Sequence, residues 1–358
     1  MVMKTVQVLV VGIGPGGASA ARVAAEAGLE VLAVDRNRRI GEPVQCAEFI
    51  PMPMGAYAKP EGVLRQKIVG MKSILPSGER YESEFPGYMI DRARFDQAIA
   101  DQAEKAGASI WSHTRLIELD PDARVATLRC DDRAIEVGYE ILIAADGPHS
   151  PVAGYLRLPP LKVVQTRQYT VPLLRPYADT DIWLSDDFPG GYAWLFPKGN
   201  LANLGLGADK RFEDNLKEPL EALHVQLIRD GLVGETILYR TGGAIPVGGL
   251  RDFLVVGRCL FVGDAGGLTH PITGGGISAA VVSGERAGQA AAEYLAGDED
   301  AFVDYEEDVR DQFEASIKRA VERRLYLEQH WRTVAANDDG TMRRGWIAFN
   351  EYFEPLVS

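Results

Sequence analysis

Uninterrupted valine-rich stretches near both ends of the first three hundred residues contrast with the alternating runs between them. The first stretch, Val8 to Val11, has the pattern of a strand buried on both faces of a parallel sheet. Gly12-Ile13-Gly14-Pro15-Gly16-Gly17 follows, Ala18 to Ala27 predicts an alanine-rich helix stopped by Gly28, and Val31 to Val34 predicts a second buried strand ending at Asp35. Together they predict a βαβ unit with its glycines at the strand-to-helix turn. Residues 36–60, broken by Pro43, Pro51, Pro53 and Pro60, read as a long functional loop. Residues 91–106 predict a helix opened by Asp91, and Ile141 to Ala145 another buried strand running into Asp146-Gly147-Pro148.

From residue 160 to 245 the apolar runs shorten and alternate, with Pro and Gly breaks. Val163 to Val171, Asp181 to Leu184 and Leu201 to Gly207 predict the strands of an antiparallel, inserted second domain. Leu254 to Val262 returns to buried-strand character, and Gly274 to Ala296 predicts an alanine-rich helix opened by three glycines. Asp300 to Ser358 reads as helical and charged at first, then aromatic at Trp331, Trp346, Phe349, Tyr352 and Phe353. No internal repeat or low-complexity tract is present.

Composition narrows the classes. A length of 358 residues predicts two or three domains with ample core, and a net charge of -13 argues against a general nucleic-acid binder. Cys46, Cys130 and Cys259 are odd in number and widely spaced, which indicates neither a disulfide scaffold nor a zinc site. Met1 to Gln7 lacks the charged n-region of a signal peptide, and no window reaches the roughly eighteen apolar residues of a membrane span. The expected location is cytoplasmic.

The chemistry begins with Gly12-x-Gly14-x-x-Gly17 and Asp35, 18 residues past the last glycine. Gly12 permits the tight turn, Gly14 lets backbone approach a pyrophosphate, Gly17 allows close helix packing, and Asp35 can accept from ribose hydroxyls. A dinucleotide is therefore expected. Leu260-Phe261-Val262-Gly263-Asp264 then presents a carboxylate to a polyol at a strand end. His270-Pro271-Ile272-Thr273-Gly274-Gly275-Gly276-Ile277 opens a helix whose N-terminus suits negative charge developing on a flavin ring. The first motif alone does not separate FAD from NAD(P); this second segment decides for FAD, and no second dinucleotide fingerprint is present.

Gly12 to Gly17, Asp91-Arg92 with Arg94-Phe95-Asp96, Asp146-Gly147 and Gly263-Asp264 resemble the FAD-binding set of p-hydroxybenzoate-hydroxylase-like flavoproteins. Two further segments resemble the geranylgeranyl reductase family: Ile40-Gly41-Glu42-Pro43-Val44-Gln45-Cys46-Ala47-Glu48, and Gly191-Tyr192-Ala193-Trp194-Leu195-Phe196-Pro197 with its YxWxFP signature. The resemblance spans residues 6 to 297 and departs from the family at Ala47, where Gly is frequent.

The resemblance implies a discontinuous Rossmann-type FAD-binding domain (residues 1–55, 90–160 and 245–300). It also implies an inserted antiparallel-sheet substrate domain (56–89 and 161–244) and a helical C-terminal region (301–358), an α/β plus α+β architecture. It places Gly12, Gly14, Gly16, Gly17, Asp35 and Arg36 at the adenosine and pyrophosphate, with Arg92 along the FAD and Asp146-Gly147 in the FAD-binding set. Asp264 would bind the ribityl chain, and Gly274, Gly275, Gly276 and Ile277 would back the pyrimidine end of the flavin. Cys46 would lie near the flavin face and, with Tyr192, Trp194 and Phe196, form the catalytic and substrate-lining set.

Several residues carry two readings on their own chemistry. Tyr192, Trp194 and Phe196, at alternate positions of a strand, suit a flat ligand or an ordinary core. Cys46 is a flavin-proximal thiol or a small buried hydrophobe, His270 a proton carrier or a structural ring, and Asp91 a ligand or a helix cap. Glu42 and Glu48 read as solvated loop charges. Arg323-Arg324 and Arg343-Arg344 read as a solvated helical face or a contact to anionic lipid or a partner.

The expected function is an FAD-dependent reductase passing electrons from NAD(P)H, as transient donor, or from a reduced protein to the C=C bond of an apolar, prenyl-type substrate. Two alternatives share the motifs: an NAD(P)H-dependent flavoprotein supplying electrons to a partner enzyme, as in lipoate assembly of sulfur oxidisers, and an FAD monooxygenase or halogenase. Partners are thus an apolar small molecule or lipid, or a redox partner protein, with no metal and no nucleic acid.

Overall fold

The computed structural model describes residues 4–356; the first three and last two positions of the outermost expected segments lie outside them. The strand Lys4–Val11 is the centre of the first sheet. It pairs in parallel with Val31–Val34 on one side and with the end of the long strand Arg133–Ala144 on the other. Ser109–Trp111 and Cys259–Phe261 extend the parallel set outward. The first half of Arg133–Ala144 instead joins an antiparallel meander with Val125–Cys130 and Thr114–Asp120.

Alternation along the central strand explains its valines. Val8 and Val10 pack under helices α1 (Pro15–Glu26), α2 (Arg92–Lys105) and others, while Leu9 and Val11 pack on the meander and on the short α3 (Pro151–Tyr155). The strand is therefore apolar at successive positions because both faces are covered.

The second sheet runs in the order Tyr239–Thr241, Val163–Pro172, Leu201–Ala208, Ala193–Lys198, Thr180–Trp183, Met71–Ile74, Arg80–Ser83. It is antiparallel apart from the parallel pairing of Thr180–Trp183 with Met71–Ile74. Helix α4 (Lys217–Arg229) covers one face through Leu220, Leu223 and Leu227. A third sheet, Phe49–Pro51, Gly87–Ile90 and Leu64–Ile68, lies between Cys46 and α2 in sequence, so the expected long loop holds a strand and a 3-10 turn, Met52–Ala58.

Helix α5 (Ile277–Leu295) starts three residues later than expected: Gly274, Gly275 and Gly276 form the loop before it, as suits residues costing about 1 kcal/mol each inside a helix. The expected strand Leu254 to Val262 is two short antiparallel strands, Val255–Val256 and Cys259–Phe261, turning at Gly257 with φ +59°. Asp91 is a helix cap, its Oδ1 accepting the Arg94 N–H at 3.1 Å.

Helix α6 (Ala301–Glu328) and α7 (Asp339–Gly345) then bring Trp331, Trp346, Phe349 and Tyr352 into the core beside the second sheet. The reading of Arg323 and Arg324 as a solvated face is corrected: both are buried. Arg324 donates to the Gly190 carbonyl at 2.8 Å and faces Asp209 at 3.4 Å, while Arg323 donates to the Glu354 carbonyl and lies over the Tyr352 ring. Arg343 pairs with Glu351 at 2.7 Å and covers Phe349; Arg344 stays exposed.

Helices α1 and α5 touch backbone to backbone. A methyl at Gly284 would lie 2.1 Å from the Gly16 carbonyl oxygen, and one at Gly288 2.6 Å from that of Ala20. Gly284→Ala is accordingly expected to destabilise the fold by about 3 kcal/mol, read from urea unfolding midpoints. Gly154→Ala, where an added methyl meets nothing within 4 Å, is expected to stay within about 1 kcal/mol of the parent.

Candidate active site

A cavity of about 940 Å³ lies between the carboxyl ends of the parallel strands and the face of the second sheet turned away from α4. Its size is at the upper end of cofactor and ligand sites, about 300–1,000 Å³, and its place is where open α/β sheets bind ligands. Gly14, Gly16, Asp35, Arg36, Asp146 and Gly147 line one end. Asp264, Gly274, Gly275, Gly276 and Ile277 line the middle with Arg92 and Cys46, and Tyr192, Trp194 and Phe196 the far part.

Gly12 and Gly17 stand behind this wall. Gly12 has φ +97°, and a methyl there would sit 2.3 Å from the Ala145 carbonyl oxygen; one at Gly17 would sit 1.9 Å from that of Gly12. Gly14, the N-cap of α1, has no side-chain cap and open space where a Cβ would be. Asp35 accepts the Ile13 N–H at 2.9 Å and the Asn37 N–H at 2.8 Å through separate oxygens, leaving each a lone pair. Arg36 beside it is exposed.

Asp146 accepts the Val152 N–H at 3.0 Å through Oδ2 and so caps α3 alongside Ser150. Its Oδ1 is buried without a partner among the described residues, and burial pushes the carboxyl pKa up. Asp264 accepts from Thr269 Oγ1 at 2.5 Å, and Gly276 is tight against that pair: a methyl there would lie 2.7 Å from Thr269 Oγ1. The loop into α5 is closed by His270 N–H on the Gly275 carbonyl and Gly274 N–H on the His270 carbonyl. His270 Nδ1 accepts the Thr273 N–H at 3.2 Å, and burial pushes its pKa down to about 4, so the ring is neutral at pH 7, with its Nε2 buried and without a partner among the described residues.

Cys46 is half-buried, its Sγ accepting the Glu48 N–H at 3.2 Å and its carbonyl accepting from Gln168 at 3.0 Å. Burial pushes the thiol pKa up, against the pull of the Arg92 guanidinium, whose Nε is held by Asp96 at 2.8 Å. The reading of Glu48 as a solvated charge is corrected: it is 3% exposed and bonded on both carboxylate oxygens. Glu42 remains exposed.

Tyr192, Trp194 and Phe196 all turn to the cavity, while Ala193 and Leu195 face α4. The strand is thus core on one side and cavity wall on the other. Trp194 donates to Gln168 at 3.1 Å and fits because position 205 is glycine, where a methyl would lie 2.4 Å from the indole. Tyr192 donates to the Thr273 carbonyl, tying the aromatic strand to the glycine loop. Phe196 meets Phe49 edge-on at 6.1 Å, and Phe49 stacks on Phe85 at 5.7 Å.

Trp346 and Ile347 also line the cavity and were not singled out by the sequence. Trp346 is held by Ser73 Oγ at 3.0 Å and packs on Tyr192 with centroids 5.0 Å apart. Its only sequence signal was membership of an aromatic tail.

The residues fit a flavin dinucleotide. The N-termini of α1 and α5 both reach the cavity without side-chain caps, leaving N–H donors that suit anionic groups, and Asp35 and Asp264 line it with carboxylates that could accept from hydroxyls. Among the described residues, no helix is long and apolar enough to cross a membrane.

No protein-family model matches the chain. Digeranylgeranylglycerophospholipid reductase of Methanocaldococcus jannaschii is 35% identical over 303 residues, covering 80% of this chain and 77% of that one. Digeranylgeranylglycerophospholipid reductase 1 of Methanopyrus kandleri is 35% identical over 340 residues, covering 86% and 88%. Among solved structures, a geranylgeranyl bacteriochlorophyll reductase-like protein of Thermoplasma acidophilum aligns with a TM-score of 0.81 at 27% identity, over 94% of this chain and 92% of that one. The flavin-dependent halogenase CmlS shares the fold at a TM-score of 0.75 and 16% identity, over 99% and 71%. The chain belongs to the geranylgeranyl reductase family of FAD-dependent oxidoreductases.

Proposed function

We propose that the protein reduces C=C bonds of an apolar, prenyl-type substrate, drawing electrons from NAD(P)H or a reduced protein donor. The observation that carries this reading is the continuity of one cavity from the dinucleotide turn at Gly14 to an aromatic wall of Tyr192, Trp194, Phe196 and Trp346. Curated relatives bear the name of a prenyl-lipid reductase, which fits an apolar far end.

FAD supplies the redox chemistry when bound, accepting two electrons from the donor and passing a hydride to an alkene carbon. Gly14, Gly16 and the α1 N-terminus would hold the pyrophosphate, with Asp35 and Arg36 at the adenosine, Arg92 along the dinucleotide, and Asp146-Gly147 beside it. Asp264 would hold the ribityl hydroxyls, and the loop Gly274, Gly275, Gly276 and Ile277 would back the pyrimidine end, with the N–H groups of Gly276 and Ile277 at the start of α5 facing it. Tyr192, Trp194 and Phe196 exclude water and orient the apolar chain. Cys46 holds a proton at Sγ at neutral pH, the direction burial imposes, for the carbon that does not take the hydride.

Anaerobic, FAD-loaded protein reduced with dithionite should recover its flavin absorbance on adding geranylgeraniol, with a product heavier by two hydrogens. Recovery that needs oxygen, or none with any prenyl alkene, would overturn the reading. Asp264→Ala is expected to keep the fold yet weaken FAD binding about tenfold or more, the loss of one hydrogen bond to a charged acceptor, measured by equilibrium titration.

A further inference from the structure

Glu48 stands two residues after Cys46 with φ +71°, a left-handed conformation that a non-glycine residue keeps only when its surroundings hold it. Three elements do so. Its Oε1 accepts the backbone N–H of Arg92 at the start of α2 at 2.9 Å, and its Oε2 accepts from Lys198 Nζ at 2.6 Å and Asn203 Nδ2 at 2.8 Å in the second sheet. Its carbonyl accepts the Ile90 N–H at 2.9 Å. So fixed, its own N–H reaches Cys46 Sγ at 3.2 Å. The Arg92 guanidinium, whose backbone Glu48 anchors, lies close enough for its charge to pull the thiol pKa down.

We propose that Glu48 is a positioning residue whose buried carboxylate locks the turn so that the Cys46 sulfur faces the Glu48 N–H and the Arg92 guanidinium. This rests on the reading of Cys46 as the proton-holding group. In the step served, the S–H bond breaks and its proton bonds the alkene carbon opposite the one taking a hydride from the reduced cofactor. The sulfur keeps the electron pair, and water returns the proton afterwards. The Glu48 N–H and the Arg92 charge stabilise that thiolate against the burial that disfavours it, while the Glu48 carboxylate charge by itself pushes the thiol pKa up.

The charged and titratable groups around this sulfur are Arg92 and Asp96 of α2, Glu48 of its own turn with Lys198 behind it, and Tyr192 of the aromatic strand. Gln at 48 offers one acceptor oxygen to three donors, so the turn loses part of its clamp.

The test is the pH dependence of Cys46 alkylation by iodoacetamide in the FAD-loaded protein, read by mass spectrometry of its peptide, with Cys130 as internal reference. Glu48→Gln is expected to raise the midpoint by about one unit, a tenfold smaller thiolate fraction at fixed pH, and Lys198→Met to raise it by less. A Glu48 with no positioning role would lower the melting temperature and leave the midpoint in place or move it down, because loss of its charge alone lowers the thiol pKa, and either result overturns the proposal. If Glu48→Gln does not fold, an unchanged midpoint in Lys198→Met overturns it equally. Full alkene reduction by Cys46→Ser would remove the proton-holding reading, a failure separate from any midpoint shift.

Discussion

The site is built on the backbone contact of α1 with α5, where Gly284 leaves room for the Gly16 carbonyl and Gly288 for that of Ala20. Helices with any side chain at these positions could not approach so far. The contact brings two uncapped N-termini, at Gly14 and Gly276, to one cavity, although 262 residues separate them. Each end contributes unpaired N–H groups and the positive end of a helix dipole. An anionic, elongated ligand spanning both is the occupant such an arrangement favours.

The second sheet meets this frame through few polar contacts. Glu48 binds α2 to Lys198 and Asn203, Gln168 joins Cys46 to Trp194, and Tyr192 fastens the aromatic strand to the glycine loop at Thr273. From behind, buried Arg324 of α6 fixes the Gly190 carbonyl just before Tyr192, and Trp346 closes the far wall. The C-terminal helices are thus part of the site's support. Because the groups in these links are buried, losing one leaves its partner unpaired, at about 1–3 kcal/mol.

What the sequence displays are features with short periods or fixed spacing. The βαβ unit, the Asp35 position, the Asp264 strand end and the face shared by Tyr192, Trp194 and Phe196 all follow from neighbours a few residues apart. Glu48 does not, because its burial depends on Lys198 and Asn203, about 150 residues onward, and a lone glutamate in a proline-rich loop looks solvated. Arg323 and Arg324 misled for the same reason, since Asp209, Gly190 and Glu354 are remote in sequence. The split of the strand at Gly257 and the late start of α5 are local effects of glycine that the apolar pattern masked. Trp346 reaches the cavity only after α6 and α7 have folded back over the second sheet.

One cavity joins the dinucleotide turn to the aromatic wall. Electron density for the FAD complex in a crystal tests it most directly. The account predicts the pyrophosphate at the Gly14 end of α1 and the flavin ring in van der Waals contact with Cys46 and the Gly274–Gly276 loop, facing Tyr192 and Trp194. A flavin ring seated outside that space, with the aromatic wall packed shut against Cys46, would contradict it.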